Sequence, residues 1–181
     1  MSFRSGLYIV PTNRWYIERT VWLIAGTVLL IATALATFVE PLFAVAIYVL
    51  AAASITVSLT GFCVIGNLLK RMGFTPALGR DGTGKLYFMQ TDAWYLERRI
   101  YLAVGVNLIV ATTLALSFSL WWLAFPAFVG VAMWVFAATG FCIMANSLYW
   151  TGAEPRLRPE AGQSCLPSAA KRPANAFTFD L

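Results

Sequence analysis

The chain has 181 residues, 60% of them hydrophobic and only 12% charged, and its mean hydropathy is +0.72. A soluble domain averages roughly 45–50% apolar and 25% charged residues, so the expected solvent is lipid. The net charge of +5 comes from cations that flank apolar runs without clustered exposed aromatics, which argues against nucleic acid, and the absence of histidine excludes imidazole metal sites, catalytic triads and histidine general bases.

In chain order, the first element is an aromatic and charged entry, Asn13-Arg-Trp-Tyr-Ile-Glu-Arg19, in which Thr12 or Asn13 is a candidate N-cap and Trp15 and Tyr16 suit the headgroup level. A first apolar run follows at 20–39, then the short corner Glu40-Pro41 and a second run at 42–69. A Gly-rich polar linker at 77–86, with Arg80, Asp81 and Lys85, leads to a second entry, Asp92-Ala-Trp-Tyr-Leu-Glu-Arg98. There Thr91 or Asp92 is the candidate N-cap. The third run, 99–118, turns at Phe118-Ser119 into the fourth, 120–149. Each run meets the requirement of about 20 apolar residues for a helix crossing a ~30 Å core. The second and fourth exceed it, which predicts tilt or a last turn reaching into the interface. The tail, 156–181, has no apolar period and is expected to be disordered and cytoplasmic.

Sliding the chain by 79 residues aligns Tyr8 to Pro76 with Tyr87 to Pro155 without a gap. The identities include Trp15/Trp94, Tyr16/Tyr95, Glu18/Glu97, Arg19/Arg98, Gly26/Gly105, the tetrads Thr60-Gly-Phe-Cys63 and Thr139-Gly-Phe-Cys142, Asn67/Asn146, Gly73/Gly152 and Pro76/Pro155. The small-residue triplets around Ala32 to Ala36 resemble a signal-peptidase site, but a removable leader has no reason to be the twin of an internal segment. The sequence therefore predicts an all-α membrane protein of four transmembrane helices, as two helical-hairpin repeats at 1–76 and 87–155. An even number of spans per copy makes the repeats parallel. All thirteen Lys and Arg lie in the N-terminal segment, the 70–99 loop or the tail, which places both termini and the linker in the cytoplasm by the positive-inside rule.

Two constellations carry chemistry. Glu18 and Glu97 are candidates for a proton or ion path, or for ion pairs with neighbouring arginines at the interface, including the reciprocal pairs Glu18–Arg98 and Glu97–Arg19. The second constellation is Thr60, Cys63 and Asn67, spaced to share one face of a continuous helix, with Thr139, Cys142 and Asn146 repeating it. These six residues are candidate substrate contacts. As packing elements they are thiols behaving as small hydrophobes and Thr and Asn bonding between helices. Two or three separated thiols without histidine do not complete a metal shell, and no phosphate-binding or dinucleotide motif is present, so no metal, cofactor or catalytic residue is expected. Cys165, in Ser164-Cys-Leu-Pro167, reads as a free thiol.

Each copy resembles the YgaP-like transmembrane domain, a two-helix bacterial inner-membrane family. The resemblance is carried by Glu18-Arg19, Gly26, Thr60-Gly-Phe-Cys63, Asn67-Leu-Leu69 and Gly73, and by the same set 79 residues on. It implies an inner-membrane protein, not an enzyme, that handles or passes a small sulfur species beside a sulfurtransferase. It also implies helix pairs that associate as dimers, and leaves a homo-oligomer open. The alternative is a structural or assembly subunit of a larger membrane complex. The chain departs from the family in having no sulfurtransferase domain, and in Val64 and Ile143 where proline usually follows the cysteine. Without that proline a continuous helix through the cysteine is expected.

Overall fold

The computed structural model describes residues 6–10, 12, 15–79 and 86–157. Six helices carry the fold: α1 (Ile17–Phe38), α2 (Ala44–Thr60), α3 (Val64–Arg71), α4 (Leu96–Ser117), α5 (Ala124–Thr139) and α6 (Ile143–Trp150). Single 3-10 turns at Pro41–Phe43 and Leu120–Leu123 lead into α2 and α5. Counting those turns, four helical segments are long and apolar enough to cross a membrane, Ile17–Phe38, Pro41–Thr60, Leu96–Ser117 and Leu120–Thr139. The protein is an integral, multi-pass membrane protein. Its outward surface agrees, with Val45, Val49, Val106, Val110 and Val131 exposed along the spans and Trp121 and Phe38 at the corners exposed by 87% and 85%.

The spans do not run as far as the apolar pattern suggests. The 42–69 and 120–149 runs each contain a break, at Gly61 and Gly140, and resume as the short helices α3 and α6. The N-caps are Tyr16 and Tyr95 rather than Thr12, Asn13, Thr91 or Asp92, and neither tyrosine side chain bonds its helix end. Asn13, the linker interior 80–85, the tail 158–181 and Cys165 lie outside the described residues.

Consecutive helices form hairpins, but the most extensive packing runs between copies, α1 along α5 and α2 along α4. Small residues set the approach. A Cβ on Gly26 of α1 would lie 2.9 Å from Met133 Cβ and 3.1 Å from the Gly130 carbonyl of α5, and one on Gly105 of α4 would lie 2.8 Å from the Ala51 carbonyl of α2. These are equivalent contacts, since 26 and 105, like 51 and 130, are 79 apart. Without water to drive helices together, such close backbone approach supplies much of the attraction in lipid. The core between the pairs is built from Leu29, Ile47, Leu108 and Leu123 in the spans, with Ile17 and Leu96 at the end that gathers the entries and the short helices.

Candidate functional site

The Thr-Gly-Phe-Cys tetrads are helix breaks. Gly61 and Gly140 adopt φ of +75° and +74°, the left-handed conformation that closes a helix C-terminus, and their N–H groups bond the carbonyls of Val57 and Phe136. Thr60 and Thr139 turn their hydroxyls to accept the N–H of Phe62 and Phe141. Cys63 and Cys142 then start the next helix as N-caps, each sulfur accepting a backbone N–H three residues on, from Gly66 at 3.2 Å and Ala145 at 3.5 Å. Thr60, Cys63 and Asn67 therefore do not share a face of one helix, nor do Thr139, Cys142 and Asn146. Glycine breaks the chain where proline was not needed to do so.

A break inside an apolar bundle leaves backbone groups to satisfy, and an extended segment answers each one. The Met89 N–H donates to the Gly61 carbonyl at 2.8 Å, and the Val10 N–H donates to the Gly140 carbonyl at 3.0 Å. The asparagines complete the seam. Asn67 accepts the Tyr87 N–H and donates to the Tyr87 carbonyl, while Asn146 does the same with both backbone groups of Tyr8. Each amide also donates to the carbonyl of the cysteine four residues before it. The segment before α1 thus seals the break after α5, and the segment before α4 seals the break after α2.

Below these seams lie the charged entries, and their Glu and Arg side chains are buried within the fold. Glu18 is 3% exposed and Glu97 6%. The Glu18 carboxylate accepts the N–H groups of Ala77 and Leu78 at 3.0 and 2.6 Å and the Tyr87 hydroxyl at 2.9 Å. Glu97 accepts the N–H groups of Arg156 and Leu157 and the Tyr8 hydroxyl at 2.7 Å. Arg98 donates to the carbonyls of Ser58 and Leu59 in the last turn of α2, and Arg19 to that of Ala137 in the last turn of α5. There a cation meets both unsatisfied carbonyls and the negative end of the helix dipole. Each guanidinium also lies over a tryptophan, Arg19 at 4.1 Å from the Trp15 ring and Arg98 at 4.0 Å from Trp94. Backbone groups and phenols hold the carboxylates, and carbonyls hold the arginines, in place of the reciprocal ion pairs.

Burial pushes the Cys63 and Cys142 thiols above the ordinary cysteine range, although their backbone N–H donors act the other way. Both are free. Burial, reinforced by the adjacent carboxylate, likewise raises the phenols of Tyr8 and Tyr87, so they donate. No group of three His, Cys, Asp or Glu among the described residues is arranged to hold a metal.

One cavity of about 340 Å³ reaches this layer. It runs between α4 and α5, past Phe125, Phe128 and Val104, to Trp22, Tyr16 and Cys142, with Glu18, Arg19 and Glu97 also on its wall. Thr60, Thr139, Asn67 and Asn146 do not line it, and neither does Cys63. Sequence reasoning found the repeated Glu, Arg, Cys and Asn but missed their partners Tyr8 and Tyr87, which the 79-residue alignment already pairs at its edge. It also missed Trp22 and Tyr101, non-identical equivalents whose rings pack 4.7 Å apart where the copies meet. Comparison with known protein families, with curated proteins and with solved structures finds no match for this chain.

Proposed function

We propose that the chain is a non-enzymatic membrane subunit that packs beside a larger membrane complex in a bacterial inner membrane, with both termini cytoplasmic. One observation supports this reading above others. The polar side chains that the two copies repeat are occupied within the fold: thiols capping helices, amides sealing breaks, carboxylates held by N–H and phenol donors, and guanidiniums on helix ends. A reactive thiol needs an environment that favours thiolate, and burial here works against it.

A second reading, support for the handling or passage of a small sulfur species beside a sulfurtransferase, rests on the family resemblance and on Cys142 standing at the cavity wall. The double substitution Cys63→Ser, Cys142→Ser separates the two, because serine keeps the N-cap acceptor and removes sulfur chemistry. The expected result is wild-type abundance and native-gel migration, with unchanged cellular uptake of labelled thiosulfate. Lost uptake from a normally assembled double variant would overturn the first reading in favour of the second.

A further inference from the structure

The polar side chains that the two copies share are used inside the fold, and one that they do not share is left on its surface. Asn107 stands at the middle of the 22-residue α4 and is exposed, at a depth where the span faces hydrocarbon. Its Nδ2 donates to the Ala103 carbonyl of its own helix at 2.8 Å, while its Oδ1 and second N–H make no further hydrogen bond among the described residues. Thr56 and Thr113, exposed on α2 and α4, differ in that each places its single proton on the carbonyl four residues back. The residue equivalent to Asn107 in α1 is Val28, which is also exposed. Valine suits lipid at that depth and a carboxamide does not, because hydrocarbon offers it neither donor nor acceptor.

Asn107 also lies in a row with a shape of its own. Ala103, Asn107, Val110 and Leu114 follow one another at steps of four, three and four residues, the spacing of a seam along which two helices pack side by side. Asn107 and Val110 are exposed and the other two half-buried. The equivalent row on α1 is Ile24, Val28, Ile31 and Leu35, bulkier and wholly apolar. A lone asparagine in such a seam fixes register and partner number, and a small residue beside it lets backbones approach. Every copy of the chain enters the bilayer in the same direction, so two copies related by a two-fold axis along the membrane normal present α4 in parallel, with Asn107 at one depth in both. A carboxamide donates and accepts, and is therefore complementary to itself across that axis. A different helix would have to carry a polar group at the matching depth, whereas a second copy brings one by symmetry. We propose that two copies of this chain associate through α4, with the two Asn107 carboxamides bonded to each other and Ala103, Val110 and Leu114 packed along the same seam. The surface stands independently of whether the chain is an assembly subunit or handles sulfur.

The test follows the full-length protein, carrying donor or acceptor dyes on a C-terminal tag, through a dilution series in liposomes, with Förster transfer reporting the fraction paired. The wild type is expected to show transfer that saturates and that unlabelled protein competes away. Asn107→Val, which installs the side chain that α1 carries at the equivalent place, is expected to weaken pairing about three- to thirtyfold, and Asn107→Gln, which keeps a donor and an acceptor, to retain most of it. Because the Asn107 side chain bonds only its own helix, both variants diluted to monomer should match the thermal midpoint of monomeric wild type. Cross-linking locates the surface. With Cys63, Cys142 and Cys165 replaced by serine, Val110→Cys should link two copies on oxidation with copper phenanthroline, and Ile31→Cys, its equivalent on α1, should not. Transfer at the level of random encounter at every dilution would overturn the proposal and leave this face of α4 to a different membrane protein. Equal pairing of wild type and Asn107→Val, or linking through Ile31→Cys as strong as through Val110→Cys, would overturn it as well.

Discussion

A Cβ on Gly61 would sit 2.3 Å from the Met89 carbonyl oxygen, and one on Gly140 2.2 Å from that of Val10, while both backbones are left-handed. Conformation and contact therefore exclude side chains at the same two positions. The left-handed backbone alone costs an L-residue about 1–2 kcal/mol, and the clash adds to it. Gly61→Ala and Gly140→Ala are each expected to lower the thermal midpoint in detergent, with a larger fall than Gly73→Ala, which has the same backbone constraint but open space around it. The thiols supply a pH dependence. Folding raises their pKa, so their contribution is complete below the unfolded value of about 8.5 and is lost as pH rises above it. Between pH 7 and 10 the wild type should lose more stability than the Cys63→Ser, Cys142→Ser variant, measured by denaturant unfolding in micelles.

At the scale of elements, the four spans were legible because about 20 apolar residues between polar flanks have few alternatives in lipid. The breaks were not, for a physical reason. Glycine inside an apolar run is as compatible with close helix packing as with a helix end, and both occur here, at Gly26 and at Gly61. The usable signal was length, since the 42–69 and 120–149 runs exceed what a bilayer needs. The candidate site was half legible. Duplication singled out Glu18, Arg19, Cys63 and Asn67 with their counterparts, yet their partners are largely backbone groups of non-local segments, which leave no mark in side-chain patterning. The Tyr8–Glu97 bond joins the segment before α1 to the start of α4, and as a buried hydrogen bond to a charged group it should contribute about 1.5–3 kcal/mol. A double-mutant cycle of Tyr8→Phe and Glu97→Gln should return coupling of that order, and additivity within 0.5 kcal/mol would mean that the bond stabilises little.

For the whole molecule, equivalent contacts cross from one copy to the other, so neither copy completes itself. The break in the first is closed by Met89, the break in the second by Val10, and each arginine caps a helix of the opposite copy. Residues 1–79 and 80–181 produced as separate chains should therefore co-purify as a one-to-one complex through a tag on either. Each alone should be degraded in membranes or form a like-with-like pair. Two halves that are separately stable and monomeric would contradict the interlock.

The same interlock orders events during synthesis. Glu18 meets its donors within 69 residues, soon after the second span has emerged, whereas Tyr8 waits for Asn146 and Leu157, 138 and 149 residues further along the chain. Until α5 and α6 are made, the segment before α1 has no seat, because the Gly140 carbonyl and the Asn146 amide that hold it both come late in the second copy. The segment before α1 is therefore among the last to fold although it is translated before α1, and a ribosome stalled before α6 leaves Tyr8 and Val10 without their partners.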